Sequence, residues 1–215
     1  MIMSAAKRFL LRFEVFRDLR DGRTQRQRRE AGLGLPVIPD YPFRSVPRYG
    51  HGLPHHGPLV AILDRRREAY AALLRQFEAF RDGLYDIALD RPPDGGQPYW
   101  RNGYFSGLDA VSLYAFAALY TPRRYIEVGS GNSTKFMRRA ILDHGLNTHI
   151  LSIDPQPRVE IDRLCDEVRR TRLEEVDVTL FDDLSAGDIL LVDGSHRVFM
   201  NSDVTVVFLD ILPRL

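Results

Sequence analysis

The chain of 215 residues has one cysteine, no long apolar run and a formal net charge of only +1. Because Cys165 is alone, a disulfide framework is excluded. No apolar run reaches the ~20 residues that a membrane-spanning helix needs. The near-zero net charge does not indicate a nucleic-acid partner. A hydrophobic fraction of 44% predicts a globular protein with a substantial core. The arginines scattered through the apolar N-terminus are unlike a secretory signal, so we expect a cytoplasmic protein.

Positive charge is concentrated at the N-terminus. Residues 1–50 hold 11 Lys and Arg against 5 Asp and Glu, a net of +6. The rest therefore holds 30−11=19 against 29−5=24, a net of −5. Residues 4–20 have an amphipathic pattern with a basic face, which could lie on an anionic membrane surface. Docking on the chain's own domain or on a partner subunit is the favoured alternative, because Glu14 and Asp18 dilute the positive charge.

Composition divides the chain into three segments. Residues 1–58 form a basic arm and a Pro- and Gly-rich connector, in which His51, His55 and His56 lie close together. We favour a His-rich loop over a metal site there, since no cysteine or carboxylate accompanies the histidines. Residues 59–121 predict a helical cap, with one long helix over 59–87 and another over 107–119 that stops before Pro122.

The third segment, residues 122–215, alternates between short apolar runs and helical patterns. The predicted strands are 124–128, 149–154, 176–181 and 188–193, and the predicted helices are 133–145, 159–170 and 203–212. Cys165 falls on the apolar face of the second of these helices, which indicates a core residue rather than a reactive thiol. The alternation predicts an α/β fold with a Rossmann-like parallel sheet.

Two predicted strand ends indicate a nucleoside ligand. The first strand runs into Gly129-Ser130-Gly131, where glycines permit a tight turn and close approach of a ligand. The second ends in Asp154, whose carboxylate can accept hydrogen bonds from ribose hydroxyls. A dinucleotide fingerprint needs a third glycine where this chain has Thr134, and the acidic Glu127 suits a cationic ligand better than a pyrophosphate.

Four motifs in order resemble the class I S-adenosylmethionine-dependent methyltransferases. They are EVGSGNS (127–133), SIDP (152–155), LFDDL (180–184) and DILLVDGSH (188–196). The nearest group is the bacterial small methyltransferases with a D-G-x-H motif after the fourth strand. The resemblance covers about residues 100–215, and Ser133 replaces the usual third glycine.

The resemblance implies roles for particular residues. Glu127, Gly129 and Gly131 would line the methionine part of the cofactor, with Ser130 between the glycines also in contact, and Asp154 would bind the ribose. Asp182 or Asp183 would lie near the adenine. Asp193 would face the substrate, where similar enzymes orient an acceptor hydroxyl or hold a divalent metal, although nothing in the sequence supports a metal. His196 would be a general base or would merely cap the next segment. Trp100, Asn102, Tyr104 and Phe105 would form a lid or pack in the core.

The implied function is methyl transfer to a small-molecule hydroxyl. The alternatives are a non-catalytic nucleoside-binding module and, less favoured, a nicotinamide-dependent oxidoreductase. The family sheet has seven strands, whereas this chain ends where a fifth would begin. The fourth strand would therefore be an apolar edge. We expect a truncated sequence, or an edge that a second copy of the chain or the basic arm covers.

Overall fold

The computed structural model describes residues 46–105 and 107–215, and the chain divides into two units, Met1–Arg65 and Arg66–Leu215. In the first unit, irregular turns up to residue 56 lead into helix α1 (Gly57–Asp64). His56 caps this helix, because its Nδ1 accepts a hydrogen bond from the backbone N–H of Leu59 at 3.3 Å. The predicted basic helix over residues 4–20 and the first part of the connector lie outside the described residues.

The single long helix predicted over 59–87 is wrong. After α1, a second helix α2 (Arg67–Phe77), a 3₁₀ turn (Glu78–Phe80) and a short helix α3 (Arg81–Tyr85) follow. The backbone leaves the helical range at Arg66 (φ −114°, ψ 16°) and again at Phe80 (φ −102°, ψ 7°). Helix propensity and apolar spacing are favourable on both sides of each break and therefore do not reveal it.

The next four elements confirm the prediction to within a residue at each end. They are α4 (Leu108–Tyr120), β1 (Arg124–Val128), α5 (Asn132–His144) and β2 (His149–Ile153). Helix α4 stops at Thr121, before the proline, and α5 ends at Gly145, which takes the left-handed conformation (φ 58°). Among the described residues, no helix is both long and apolar enough to cross a membrane.

The helix predicted over 159–170 and the strand predicted over 176–181 are both wrong. Residues Asp162–Leu164 form a 3₁₀ turn, and β3 (Glu167–Arg169) follows as a strand. Val168 of β3 pairs in parallel with Ser152 of β2, so hydrogen bonding to a neighbouring strand overrides the helical spacing of its apolar residues. Val178–Asp183 is a 3₁₀ segment that begins where the Asp177 side chain accepts a hydrogen bond from Thr179 N–H.

The sheet is parallel with the strand order β3-β2-β1-β4, where β4 is Ile189–Val192. This arrangement confirms the predicted Rossmann-like α/β fold. Strand β4 forms one edge of the described sheet, as expected, and Val192 on it is 37% exposed. The order of the strands reverses direction at β1, because β2 and β3 lie on one side of β1 and β4 lies on the other. Ligands of such sheets gather beyond the strand ends at this reversal.

The two faces of the sheet carry separate cores. Tyr125 and Ile150 pack with residues of α4 and α5, including Tyr114 and Phe136. Ile126 and the other alternate strand residues pack on the opposite face against the 3₁₀ segments and the C-terminal helical residues. That C-terminal segment comprises α6 (Asp203–Val206), a π-helical turn (Val207–Ile211) and a 3₁₀ turn (Leu212–Arg214). Because strand side chains alternate between faces, Glu127 points to the same side as Tyr125, beneath α5.

Candidate functional site

A cavity of about 510 Å³ lies at the carboxyl ends of β1, β2 and β4. Its walls come from the loop after each of these strands, from residues that follow β3 and from the turn before α4. The lining includes Gly129, Ser130, Gly131, Asn132, Asp154, Arg172, Asp193, His196, Asp203 and Tyr104. The structure thus brings together the predicted residues of three strand ends.

The glycine loop, Gly129–Gly131, packs between the ends of β2 and β4. Gly129 takes φ +81°, which favours glycine, and a Cβ atom there would overlap the carbonyl oxygen of Asp193. Its N–H donates to the carbonyl of Ile153 at 3.0 Å, and the N–H of Asp193 donates to the carbonyl of Val128 at 2.8 Å. The first glycine therefore permits a backbone contact, whereas a Cβ on Gly131 would meet only the Val159 side chain, at 3.9 Å.

Asp154 is held by backbone N–H groups of two loops. Its Oδ2 accepts from Ser130 N–H and its Oδ1 from Gln156 N–H, each at 2.7 Å. The hydroxyl of Ser130 contacts that of Ser152 at 2.5 Å. An ionised carboxylate offers about four lone-pair sites, so Asp154 retains acceptors for two further donors. These free acceptors thus fit a pair of ribose hydroxyls, which would donate to them.

Glu127, predicted to line the methionine site, is sealed under the glycine loop instead. It is 0% exposed and is not among the cavity-lining residues. The Tyr125 hydroxyl donates to its Oε1 at 2.8 Å, and the Thr134 hydroxyl donates to its Oε2. Burial raises the pKa of Glu127 to about 7, against hydrogen bonds from Ser133, Thr134 and Tyr125 that lower it. The carboxyl group therefore ties β1 to the start of α5.

Asp193 and His196 form a pair at the end of β4. His196 Nε2 lies 3.0 Å from Asp193 Oδ1, and the imidazole is 74% exposed. His196 takes an unusual left-handed backbone conformation with φ 57°. It does not cap the next helix, because Ser202 does so by accepting a hydrogen bond from Thr205 N–H at 3.3 Å. The carboxylate can therefore orient an imidazole that stays accessible from solvent.

Asp203 contacts the same loop, and the sequence did not predict it as a site residue. The N–H and the hydroxyl of Ser195 both donate to its carboxylate at 2.5 Å. Burial raises the pKa of Asp203, but hydrogen bonds from Ser195 and Val204 outweigh this effect and leave the pKa below its usual value. The charged carboxylate thus fixes the turn that carries His196. The only sequence signal was an acidic residue at a predicted helix start, which ordinarily indicates a cap.

Asp182 and Asp183 are not in the cavity. Asp182 accepts from Arg214 at 3.1 Å, and Asp183 forms an ion pair with Arg124 at 3.2 Å. The prediction placed them at the tip of a third strand that the structure does not form there. The tip of the real β3 leads instead to Arg172, Leu173 and Glu174, which line the cavity. No pattern in the sequence distinguished these three residues from a surface turn.

The turn before α4 forms another wall of the cavity. Tyr104 and Phe105 line it, and the Tyr104 ring lies 5.4 Å from Arg158 Cζ, on the loop after β2. Trp100 lies 5.4 Å from Phe136, between ring centroids, and packs against the core. Of the four residues predicted as a lid or as core, Tyr104 lines the cavity, Trp100 packs against the core, and Phe105 does both.

The described residues contain no group of three or more His, Cys, Asp or Glu side chains placed to hold a metal ion. Within the first unit, His56 instead contacts the Tyr49 ring edge-on, with 4.6 Å between the ring centroids.

Part of the chain matches a known protein family. A family model described as a methyltransferase domain matches residues 126–215, from the second residue of β1 to the end of the chain. No curated protein and no solved structure matches the chain. The matched residues contain the glycine loop, Asp154 and the Asp193–His196 pair. The match therefore supports a methyltransferase domain in this part of the chain.

Proposed function

We propose that the chain is an S-adenosylmethionine-dependent methyltransferase that acts on a hydroxyl group of a small molecule. One observation carries the proposal. The glycine loop, the Asp154 carboxylate and the Asp193–His196 pair all line one cavity of about 510 Å³ at the reversal of strand order. That volume is within the usual range for a drug-sized ligand.

The residues present fit this cofactor. Asp154 retains acceptors for the two ribose hydroxyls, and the loop over Gly129–Gly131 offers backbone to the amino-acid part. Asn132 Oδ1, at the start of α5, has no hydrogen-bond partner among the described residues and could accept a hydrogen bond from a cationic donor. When bound, S-adenosylmethionine supplies a methyl group on a positively charged sulfur, ready for displacement. The protein's main contribution is alignment of the acceptor oxygen with that group.

His196 is the proposed proton acceptor. When its Nε2–H donates to Asp193, the neutral imidazole has its lone pair on Nδ1. Nδ1 can then take the proton from an acceptor hydroxyl, while Asp193 stabilises the imidazolium. Asp203 is a positioning residue, since its hydrogen bonds with Ser195 hold the turn that leads to His196. The D-G-S-H sequence here also supports a place in the D-G-x-H group and an oxygen acceptor.

Calorimetric titration of the 215-residue chain with S-adenosylhomocysteine, the product of the cofactor, tests the proposal. NAD is the parallel ligand, and Asp154→Ala is the test variant. Asp182→Ala is the matched control, because it removes a carboxylate that lies outside the cavity. We expect micromolar binding of the product by the wild type and by Asp182→Ala, with binding lost in Asp154→Ala.

Each other result has a definite meaning. Binding of NAD in place of the product would favour the oxidoreductase and refute the proposal. If the folded chain bound neither ligand, the cofactor assignment would be refuted for this polypeptide. Loss of binding in Asp182→Ala alone would mean that the nucleoside lies elsewhere than the cavity. A binding chain is then assayed for transfer of labelled methyl groups to small-molecule hydroxyl acceptors, which separates an enzyme from a binding module.

A further inference from the structure

Asn102 has an amide whose orientation is determined by its hydrogen bonds. Its Nδ2 donates to the carbonyls of Tyr99 and Phe105, at 2.9 and 2.5 Å. Its Oδ1 accepts from the N–H groups of Tyr104 and Phe105, at 3.0 and 2.7 Å. A flipped amide would place donor against donor and acceptor against acceptor, so only one orientation satisfies the four backbone groups. The side chain is 6% exposed and holds the turn that forms one cavity wall.

The orientation of Asn102 in turn determines that of Asn132. The Asn132 amide meets the Oδ1 of Asn102 at 3.3 Å, and an acceptor there requires a donor, so Asn132 must present its Nδ2. Its Oδ1 is therefore the atom that remains. Asn132 is 7% exposed and lines the cavity, and this oxygen is buried with no hydrogen-bond partner among the described residues.

A buried acceptor without a partner is costly, and native proteins nearly always satisfy it. Asn132 is the first residue of α5, beside the glycine loop, where backbone N–H groups supply donors rather than acceptors. Glu127 is the acidic residue that the sequence analysis expected to meet a cationic group at this loop. Both of its oxygens are already hydrogen-bonded beneath the loop, and it is fully buried. Asn132, which lines the cavity, is then a side chain at this helix start with a buried acceptor that has no partner among the described residues.

We propose that Asn132 Oδ1 accepts a hydrogen bond from the α-ammonium of the cofactor's amino-acid part and so distinguishes ligands that carry this group. The inference rests on the proposed function and deepens it. The ammonium donates up to three hydrogen bonds and accepts none, which matches the unpartnered acceptor of Asn132. Asn102 is the positioning residue, because its rigid amide keeps the oxygen of Asn132 turned away from the turn.

The test compares three ligands by calorimetry on the full chain. They are S-adenosylhomocysteine, its deamino analogue in which hydrogen replaces the ammonium, and 5′-methylthioadenosine, which lacks the whole amino-acid part. The variant is Asn132→Ala, and Asn147→Ala is the control because Asn147 is exposed and outside the cavity. The comparison of ligands within the wild type remains informative even if the variant does not fold.

We expect Asn132→Ala to bind S-adenosylhomocysteine about 10- to 100-fold more weakly, the range for a hydrogen bond to a charged group. Its affinity for the deamino analogue and for methylthioadenosine should equal that of the wild type. The wild type should lose a similar factor when the ammonium is removed. Asn147→Ala should match the wild type for all three ligands.

Two results would overturn the inference while leaving the cofactor assignment intact. One is equal weakening of all three ligands by Asn132→Ala, which would indicate a structural role or a buried water at the oxygen. The other is a wild type that binds the product and its deamino analogue equally well. If the wild type binds none of the three ligands, the proposed function and this inference both fail.

Discussion

Replacing Glu127 by Gln should change how stability depends on pH. The carboxyl group is fully buried, and burial raises its pKa from 4.5 to about 7. A raised pKa means that the folded state binds the proton more tightly than the unfolded state does. The contribution of this group to stability is therefore fully present below pH 4.5 and is lost as the pH rises through 7. Glutamine has the same shape but carries no titrating proton, so this dependence should disappear.

The magnitude follows from the two pKa values. A difference of about 2.5 units, at 1.36 kcal/mol per unit, corresponds to about 3 kcal/mol over the whole titration. Between pH 5 and pH 8, most of this range is covered, so about 2 to 3 kcal/mol should be lost in the wild type. The glutamine oxygen can still accept from the Tyr125 hydroxyl, and its amide can donate to the Thr134 hydroxyl.

Urea unfolding of the wild type and of Glu127→Gln at half-unit steps from pH 5 to pH 8 measures the effect. The free energy of unfolding of the variant relative to the wild type should rise by about 2 to 3 kcal/mol over this range. Glu78→Gln removes an exposed carboxylate and serves as the control, which should follow the wild type. Parallel curves for Glu127→Gln and the wild type would refute the reasoning, because they would mean that this carboxyl group titrates alike in both states.

Two further perturbations test the packing around the site. Gly129→Ala should destabilise the fold by more than the about 1–2 kcal/mol expected of Gly103→Ala in urea unfolding. Both glycines have positive φ, but only at Gly129 would a Cβ atom collide with backbone atoms, those of Asp193. Equal losses of stability in the two variants would therefore contradict the close approach of the Gly129 and Asp193 backbones. Burial raises the pKa of the Cys165 thiol from 9.0 to about 12, so little of the reactive thiolate is present in the native chain. Iodoacetamide should therefore label Cys165 about a thousandfold more slowly at pH 8 in the native chain than in urea. Equal labelling rates would contradict the raised pKa.

The parallel sheet could be predicted because three of its strands are recognisable from the residues of the strand itself. The runs at 124–128, 149–153 and 189–192 are apolar, short and bounded by turn residues, and the structure forms a strand at each. Parallel strands that are buried on both faces are recognisable as nearly continuous apolar runs. The family match over 126–215 lies on these same elements.

The third strand could not be predicted from local pattern. Residues 167–169 are a strand because β2 offers them hydrogen bonds, while their own spacing of apolar residues suits a helix. Local pattern cannot reveal this pairing, because β2 lies outside the segment itself. The third strand was therefore predicted at 176–181, and the expected adenine contacts were placed after it, at Asp182 and Asp183. Arg172, Leu173 and Glu174 reach the cavity instead.

The sequence by itself determined the positions of the glycine turn, of the acidic strand end at Asp154, and of Asp193 and His196, because each follows closely on an apolar strand. Only the tertiary structure decided which polar atoms face the cavity. Strand alternation turns Glu127 beneath α5, where Tyr125 and Thr134 satisfy it. A turn about 30 residues earlier orients Asn132 through Asn102. The physical reason is that a side chain's available hydrogen bonds depend on what already surrounds it, and those neighbours come from distant parts of the chain.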